Sequence, residues 1–375
     1  MKMNFSTENL RNVFADENKL ASYQKLCYDL RNGNKIYDFD EDGNKVEISK
    51  KDANRAIRKV LMEICGLDEE TVKSAKRRHR AIDRHMEEIF ELHEEDIDFK
   101  VEEGFKESEW FNELVENRNI ALGDDEEYWT KDKITFIVAE ISGDHHDLTM
   151  QNLNEGTPYR LHTTKHGIRV GADIDLVLLG RKDFTELTDK IAEAFIYDVQ
   201  TRCYTAVYGA AAQLPNPSQF NKTGVLNTST KSAFDTLITD VAIANDATDV
   251  VIYGTKLALK ALNALTDVDW RADSQKESVA ATGRLGSYEG TLLVELPQRF
   301  ALNTTTERLF DDNMLLILPR GEEKFVKFTD KGETEIFEVT EKADMADDFR
   351  TYEVQREYGV GVQIGNYFGK WEIDR

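Results

Sequence analysis

Cysteine is scarce in this sequence. The chain of 375 residues contains three cysteines, and they lie far apart at Cys27, Cys65 and Cys203. An odd number at this spacing fits neither a disulfide framework nor a metal or redox motif. We therefore expect reduced thiols in a cytosolic environment.

The sequence also lacks long apolar runs. None approaches the roughly 18 residues that suggest a membrane helix, and the N-terminal MKMNFSTENLRNVF has no apolar centre of a signal peptide. We expect a soluble intracellular protein with no membrane partner. Because the chain begins at Met1, we also expect residues 1–110 to be retained in the mature protein.

Basic residues are outnumbered. Acids exceed bases by 71 to 48, which gives a net charge of −23. Such a surface repels phosphate polymers, so nucleic-acid binding as the main function is excluded. The hydrophobic content of 40% is that of a folded protein, and the length allows two or three structural units.

Residues 1–118 are predicted to be a charged, helical N-terminal segment. A capping pattern at Ser49 starts a helix that Gly66 ends. A longer helix is predicted from about Asp68 to His93. The acidic stretch that follows, through Phe111, resembles a connection with one short helix.

Residues 119–182 have a different pattern. Two β-rich runs, Ile134–Ser142 and Ile168–Gly180, flank a long polar stretch. Strands around a polar segment predict an extended arm. We then expect one long helix in residues 183–228, with a cap at Asp183 and apolar residues at helical spacing up to about Gln213.

The rest of the chain is predicted to be α/β followed by β-rich. Residues 229–325 combine two amphipathic helices with short buried strands such as TLLVELP and NMLLILP. Residues 326–375 read as strands, the first two joined in a hairpin around Asp330-Lys331-Gly332.

Three motifs suggest ligand sites, and each has a structural interpretation that is favoured over ligand binding. Gly283, Gly286 and Gly290 match no phosphate-loop pattern, and a strand follows them instead of a helix. Asp38–Ser49 resembles a calcium loop but ends in Ser where a bidentate Glu is required, so a hairpin is favoured. The basic run Lys73–Arg80 suits a solvated helix face that pairs with acids better than a nucleic-acid site.

The polar arm holds most of the histidines. His145, His146, Asp147, His162 and His166 could supply zinc ligands, but no rigid element places them together. Contacts to a neighbouring chain are the favoured interpretation. No catalytic arrangement can be assigned, so we expect no enzyme activity, no cofactor and no metal.

The order of these segments resembles the major capsid proteins of tailed bacteriophages, which share the Hong Kong 97 fold. Three stretches carry the resemblance: LTMQNLNEGTPYRLHTTKHGIRVGADIDLVLLGR is similar to an extended E-loop, FTELTDKIAEAFIYDVQTRCYTAVYG to a P-domain spine helix, and GRLGSYEGTLLVELPQRF with NMLLILP to an A-domain. The ending YGVGVQIGNYFGKWEI resembles the last P-domain strands. The glycines then only turn the chain into a strand.

The resemblance implies an α+β fold with five segments. These are a helical N-terminal arm (1–118), an E-loop (119–182), a P-domain spine helix (183–228), an A-domain (229–325) and returning P-domain strands (326–375). It also implies a structural protein that assembles into hexamers and pentamers of an icosahedral shell around double-stranded DNA, which is enclosed without sequence-specific binding. Portal and scaffolding proteins would be partners, in the host cytoplasm and then in the virion.

An encapsulin-like shell around a protein cargo is the alternative, although such shells usually have a shorter N-terminal region and E-loop. In either shell the arm would contact an acidic neighbour. The intersubunit candidates are His145, His146, Arg160, His162, Lys165, His166 and Arg169.

Some shells of the resembled family are cross-linked between a lysine of the E-loop and an asparagine of the P-domain. Lys165 and Asn366 are the residues available here. Nearby carboxylates favour the charged, unreactive lysine. We therefore expect a non-covalent shell.

Overall fold

The computed structural model describes most of the chain. The described residues are 5–39, 45–122, 127–130, 157–172, 174–213, 216–265, 279–280, 282–301, 304–321, 323–339, 350–363 and 365–374. Three sequence predictions lie outside them: the strand at 134–142, the centre of the calcium-like turn, and the positions of His145 and His146.

The described elements alternate between helices and strands. The α-helices are α1 Glu8–Val13, α2 Glu17–Asn32, α3 Lys50–Ile64, α4 Ala75–Arg84, α5 Met86–Lys106, α6 Glu109–Leu114, α7 Ile174–Leu178, α8 Phe184–Gln213, α9 Lys231–Ala244 and α10 Lys256–Ala261. The strands are β1 Ile36–Phe39, β2 Lys45–Ile48, β3 Val115–Ile120, β4 Glu127–Thr130, β5 Thr157–Arg160, β6 Thr164–Ala172, β7 Asn221–Gly224, β8 Val250–Gly254, β9 Ser287–Tyr288, β10 Thr291–Glu295, β11 Met314–Pro319, β12 Val326–Val339, β13 Arg350–Val362 and β14 Gly369–Ile373.

The chain forms two compact units. The first unit comprises Met1–Glu107, Thr163–Val199 and Lys331–Tyr358, and the second comprises Ser108–His162, Gln200–Asp330 and Gly359–Arg375. Helix α8 and strands β12 and β13 each contribute residues to both units.

Helices build the core of the first unit. Helix α3 starts at Ser49, whose hydroxyl accepts a hydrogen bond from the Asp52 backbone N–H (3.3 Å), and it is followed by Gly66 in the left-handed conformation. Its apolar stripe, including Ile57 and Leu61, packs with residues of α1, α2, α5 and α7 in one buried cluster. The capped α3 helix and the β1–β2 hairpin before it confirm the predictions for this stretch.

Helix α5 also packs on a sheet. In this unit β13 pairs antiparallel with β6, from Arg350 opposite Ala172 to Tyr358 opposite Thr164. Asp98 of α5 accepts hydrogen bonds from the backbone N–H (3.1 Å) and hydroxyl (2.6 Å) of Thr334 on β12, and it also pairs with Arg356 of β13. Buried polar contacts therefore join this helix to two strands.

The second unit is an α/β layer. Its six-stranded sheet has the order β7-β14-β11-β8-β10-β9, with β8 parallel to β10 and antiparallel to β11. All five residues of β8 are buried, because it is a central strand covered on both faces. Phe234 and Leu237 of α9 and Leu259 of α10 lie in its core.

Helix α8 confirms the predicted long helix. It is one unbroken helix of 30 residues that ends at Gln213, close before Pro215 and Pro217. In the first unit its Asp198 accepts a hydrogen bond from the hydroxyl of Tyr358 on β13 (2.5 Å). Helix α8 thus contacts one of the C-terminal strands.

The predicted helix from Asp68 to His93 is wrong. Asp68 accepts hydrogen bonds from the backbone N–H groups of Glu70 (3.0 Å) and Thr71 (2.6 Å), which favours a short 3₁₀ turn. The backbone breaks again at His85, and α5 then continues to Lys106. The stretch after His93 was predicted to be a connection, because its acidic composition concealed the helical spacing of its apolar residues.

The predicted strand Ile168–Gly180 is correct only in its first part. Residues Ile174–Leu178 form the short helix α7, because Val177 and Leu178 are both buried in the helical core of the first unit. A strand would point these two neighbours to opposite faces. The chain leaves α7 through Gly180 at φ +70°.

The predicted hairpin at Asp330-Lys331-Gly332 is also wrong. Strand β12 runs through these residues without a reversal, and Gly332 takes a φ of +78° within it. A positive φ suits a local distortion of a strand as well as a turn, so the sequence signal was ambiguous.

Candidate intersubunit surface

The described ends of the predicted arm form a two-stranded ribbon in the second unit. Strands β4 and β5 pair antiparallel, with Tyr128 opposite Tyr159 and Thr130 opposite Thr157. We call this ribbon, together with Leu161 and His162, the arm root. It is the base from which the chain leaves at Thr130 and to which it returns at Thr157.

Tyr128 anchors the arm root. Its side chain is 1% exposed, and its hydroxyl donates to the Phe328 carbonyl oxygen (3.1 Å) and lies 2.8 Å from the Thr329 hydroxyl. The Arg118 guanidinium lies 4.6 Å from the centre of the Tyr128 ring, which is a cation–π contact. A buried aromatic with a satisfied hydroxyl fixes one strand of the ribbon in the unit.

An ion cluster supports this anchor. Lys327, which is buried, pairs with Glu116, and Arg118 lies 2.7 Å from the same carboxylate. Burial raises the pKa of Glu116, but hydrogen bonds from Lys327 and Arg118 lower it by more, so its pKa lies below the ordinary value. The carboxylate is therefore ionised at neutral pH.

Two glycines of β13 make room for the other strand. A Cβ at Gly359 would lie 2.6 Å from the carbonyl oxygen of His162, and one at Gly361 would lie 2.5 Å from the Tyr159 hydroxyl. Backbone cannot approach a larger residue this closely. The glycines of the YGVGV stretch therefore allow the arm root to lie directly on β13.

Strand β5, the residues after it and β6 are exposed or half-buried. None of the described residues 158–171 is buried. These side chains therefore leave surface that a neighbouring subunit could cover, while residues 140–156 of the arm lie outside the described part of the chain.

Five of the seven predicted contact residues are described, and they belong to two units. Arg160 and His162 lie in the second unit, while Lys165, His166 and Arg169 belong to β6 in the first. His145 and His146 lie outside the described residues. Their role between subunits stays a prediction.

Several of these side chains have partners in their own chain. The Arg160 guanidinium lies 2.6 Å from the Glu127 carboxylate, and the Lys165 ammonium 3.3 Å from that of Glu335. The His166 ring stacks on Tyr358 with ring centres 4.2 Å apart. The charged groups of the Arg160–Glu127 and Lys165–Glu335 pairs are all partly exposed. These two pairs therefore contribute little to stability and can exchange partners.

Sequence reasoning missed a second exposed surface on the sheet of the first unit. Glu333, Glu335 and Phe337 alternate along β12 and share one face, while Thr334 and Ile336 between them are buried. Phe337 is 48% exposed. The period-two pattern in GETEIFEV carried this signal, but the expected hairpin placed it elsewhere.

The glycine-rich motif is a structural turn. Glu289 and Gly290 both have positive φ and form the two-residue connection between β9 and β10, so these residues turn the chain as predicted. Across the described residues, no group of three or more His, Cys, Asp or Glu side chains could hold a metal ion. None of the described helices has both the length and the apolar character of a membrane span.

Comparison with solved structures places this fold among capsid proteins. The mature capsid of bacteriophage PhiM1 matches with a TM-score of 0.50 and 10% identity, covering 70% of this chain and 86% of that chain. The capsid of cyanophage P-SCSP1u matches at 0.48 and 13% (71% and 88% covered), and a virus-like particle from Pyrococcus furiosus at 0.41 and 14% (76% and 100%). The first match confirms the α+β Hong Kong 97-type fold.

Comparison with protein families is more specific. A search of curated proteins finds no match. The family model described as "SPbeta prophage-derived putative capsid protein YonB" matches residues 8–372, which is nearly the whole chain. The chain therefore belongs to this prophage capsid protein family.

Proposed function

We propose that this capsid protein assembles into hexamers and pentamers of an icosahedral shell that encloses double-stranded phage DNA. In this proposal the protein is structural and has no catalytic role. Its partners are other copies of itself, together with portal and scaffolding proteins. Assembly takes place in the host cytoplasm, and the product is the virion capsid.

The arm root is the observation that carries this proposal. It fixes both ends of a chain excursion in a folded unit, through Tyr128 on one strand and the close approach to Gly359 and Gly361 on the other. Residues 131–156 join these two ends, and in this proposal they contact a neighbouring subunit. A fixed base for such a segment lowers the ordering cost of that contact.

The five sequence segments have a corresponding role in this proposal. We assign 119–182 to the E-loop, 183–228 to the spine, 229–325 to the A-domain and 326–375 to the returning strands. Of residues 1–118, the N-terminal arm, the first 107 contribute helices α1–α5 to the first unit.

Electron microscopy of the purified protein tests assembly directly. We expect closed shells of uniform size, and particles from lysogens should contain nuclease-protected DNA. Particles filled with protein would support the encapsulin-like alternative. A protein that stays monomeric under all assembly conditions would contradict the proposal.

The arm can be tested separately. Thr130 and Thr157 are opposite each other, so a short Gly-Asn turn can replace residues 131–156 without moving the strands. We expect a folded subunit that no longer forms shells. A broader deletion of Asp144–Lys165 would also remove β5 and the start of β6, so its failure would not isolate the arm.

A further inference from the structure

A groove in the first unit carries several cations on its rim. It has a volume of about 710 Å³ and lies between α3 and the α7–α8 junction. Its rim includes the exposed cations Lys50, Lys51, Arg55 and Lys182, together with the exposed carboxylates Asp52 and Asp183. None of the four cationic side chains makes a hydrogen bond or ion pair with another described residue.

The local charge is opposite to that of the chain. Residues 49–85 contain eleven Lys and Arg against six Asp and Glu, whereas the whole chain has a net charge of −23. Two acids elsewhere in the same unit accept backbone hydrogen bonds instead: Glu91 from Thr7 (3.1 Å) and Glu94 from Ile336 (2.6 Å). Because the cationic side chains of the groove have no acidic partner among the described residues, they can pair with a second copy.

The floor of the groove is apolar. Ile57, Leu61, Val177 and Phe184 line it and are buried. A phosphate backbone has no apolar group to place on such a floor, and the acidic chain repels nucleic acid at longer range. The groove fits an acidic protein surface that also offers an apolar side chain.

The chain itself carries such a surface. On β12, Glu333 and Glu335 lie on the same exposed face as Phe337. We call these three residues the β12 stripe. We propose that the basic groove of one subunit binds the β12 stripe of a second copy, with Phe337 on the apolar floor and the two glutamates against the lysines and arginine of the rim.

This contact joins two different surfaces, so it is head-to-tail. Contacts of this kind close into rings when the rotation allows it. The inference thus rests on the proposed shell function and adds one interface between neighbouring subunits.

A charge-exchange experiment tests the pairing. The groove variant is Lys51→Glu with Arg55→Glu, and the stripe variant is Glu333→Lys with Glu335→Lys. We expect each to lose particles in electron microscopy, and a chain that carries all four changes to recover them. Recovery distinguishes a lost contact from a folding defect, because two folding defects would add.

A matched control separates this contact from net charge. Lys256→Glu with Lys260→Glu makes the same charge change at the same spacing, on exposed residues of α10 in the second unit. This control should assemble. Normal assembly of the groove variant would overturn the groove inference alone, and loss without recovery in the combined variant would overturn the stripe as its occupant.

Cysteine cross-linking tests the contact without relying on shells. The three native cysteines are buried, so Lys182→Cys with Phe337→Cys introduces the only exposed pair among the described residues. We expect an oxidised dimer that neither single variant gives. A wild-type protein that forms no particles would contradict the proposed function. The absence of an oxidised dimer in the double cysteine variant would overturn the groove inference. DNA retention that depends on Lys51 and Arg55 would point to nucleic acid instead and would also overturn it.

Discussion

Replacing Lys100 with methionine should destabilise the first unit strongly. Lys100 lies on α5 and is 1% exposed. Its ammonium donates to Asp96 on the same helix (2.8 Å) and lies 2.9 Å from an Asp189 carboxylate oxygen on α8. Methionine has a similar length and fits an apolar site, so the variant removes the charge and leaves most of the packing.

The expected loss of stability follows from the carboxylates that lose their cation when Lys100 is replaced. Asp96 is 0% exposed, and without Lys100 its carboxylate is buried with no cation. Removing one partner of a buried ion pair costs about 3–5 kcal/mol. Asp189 is partly exposed, with 21% of its side chain accessible, so water can compensate it in part. We expect a loss of about 3 kcal/mol in the free energy of unfolding.

The control is Lys106→Met on the same helix. Lys106 is 53% exposed and pairs with Glu102 at 2.9 Å, so its loss should cost less than about 1 kcal/mol. Urea unfolding followed by far-UV circular dichroism measures both variants. Adding Asp96→Asn to Lys100→Met should recover part of the loss, because the uncompensated charge is removed.

The loss of stability caused by Lys100→Met should also be independent of pH over a wide range. Burial lowers the pKa of Lys100, but the charges of Asp96 and Asp189 raise it by more, so the pKa is raised overall. A raised lysine pKa stabilises the fold fully below the unfolded value of about 10.4, and this is lost only as pH rises through the folded value. Equal free energies of unfolding for Lys100→Met and Lys106→Met would refute the stabilising role of the buried contacts of Lys100 with Asp96 and Asp189.

Three further predictions concern backbone space, pH and thiols. Gly359→Ala should destabilise by about 1–3 kcal/mol, since its Cβ meets backbone at 2.6 Å, whereas Gly209→Ala on α8 has open space and should stabilise by about 0.4–1 kcal/mol in urea unfolding. Burial raises the pKa of Glu94 to about 7, so stability should fall as pH rises from about 4.5 to 7, and Glu94→Gln should flatten that slope in a pH series of unfolding curves. Burial also raises the pKa of Cys65 to about 12, so a thiol reagent should leave it unmodified until the protein unfolds, and fast labelling of the native protein would contradict this.

The elements that sequence reasoning predicted are those with strong local signals. Helix α8 has apolar residues at helical spacing over many turns and prolines just after it, so both its type and its end follow from local rules. Strands β8 and β11 are short apolar runs, which suit central strands. In each case local preference and tertiary environment favour the same structure.

The wrong predictions arise where tertiary packing decides. Nothing in the alternation of Ile168–Gly180 shows that Leu178 must reach the helical core, where its carbonyl oxygen accepts a hydrogen bond from Arg58 (2.6 Å). Likewise the acidic run in α5 is stabilised by partners distant in sequence, such as Thr334 for Asp98. Such contacts override local composition and cannot be inferred from one segment.

The candidate groove depends on the distinction between charged side chains that pair within the chain and those that pair with no described residue. In sequence, the acids of α5 and the cations of α3 look alike, as charged faces of two helices. In the structure, Asp96 and Asp98 are consumed by Lys100, Thr334 and Arg356, whereas Lys51 and Arg55 pair with no described residue. In the proposed shell a subunit of net charge −23 associates with copies of itself, and the cations of the groove are among those that remain to attract an acidic neighbour.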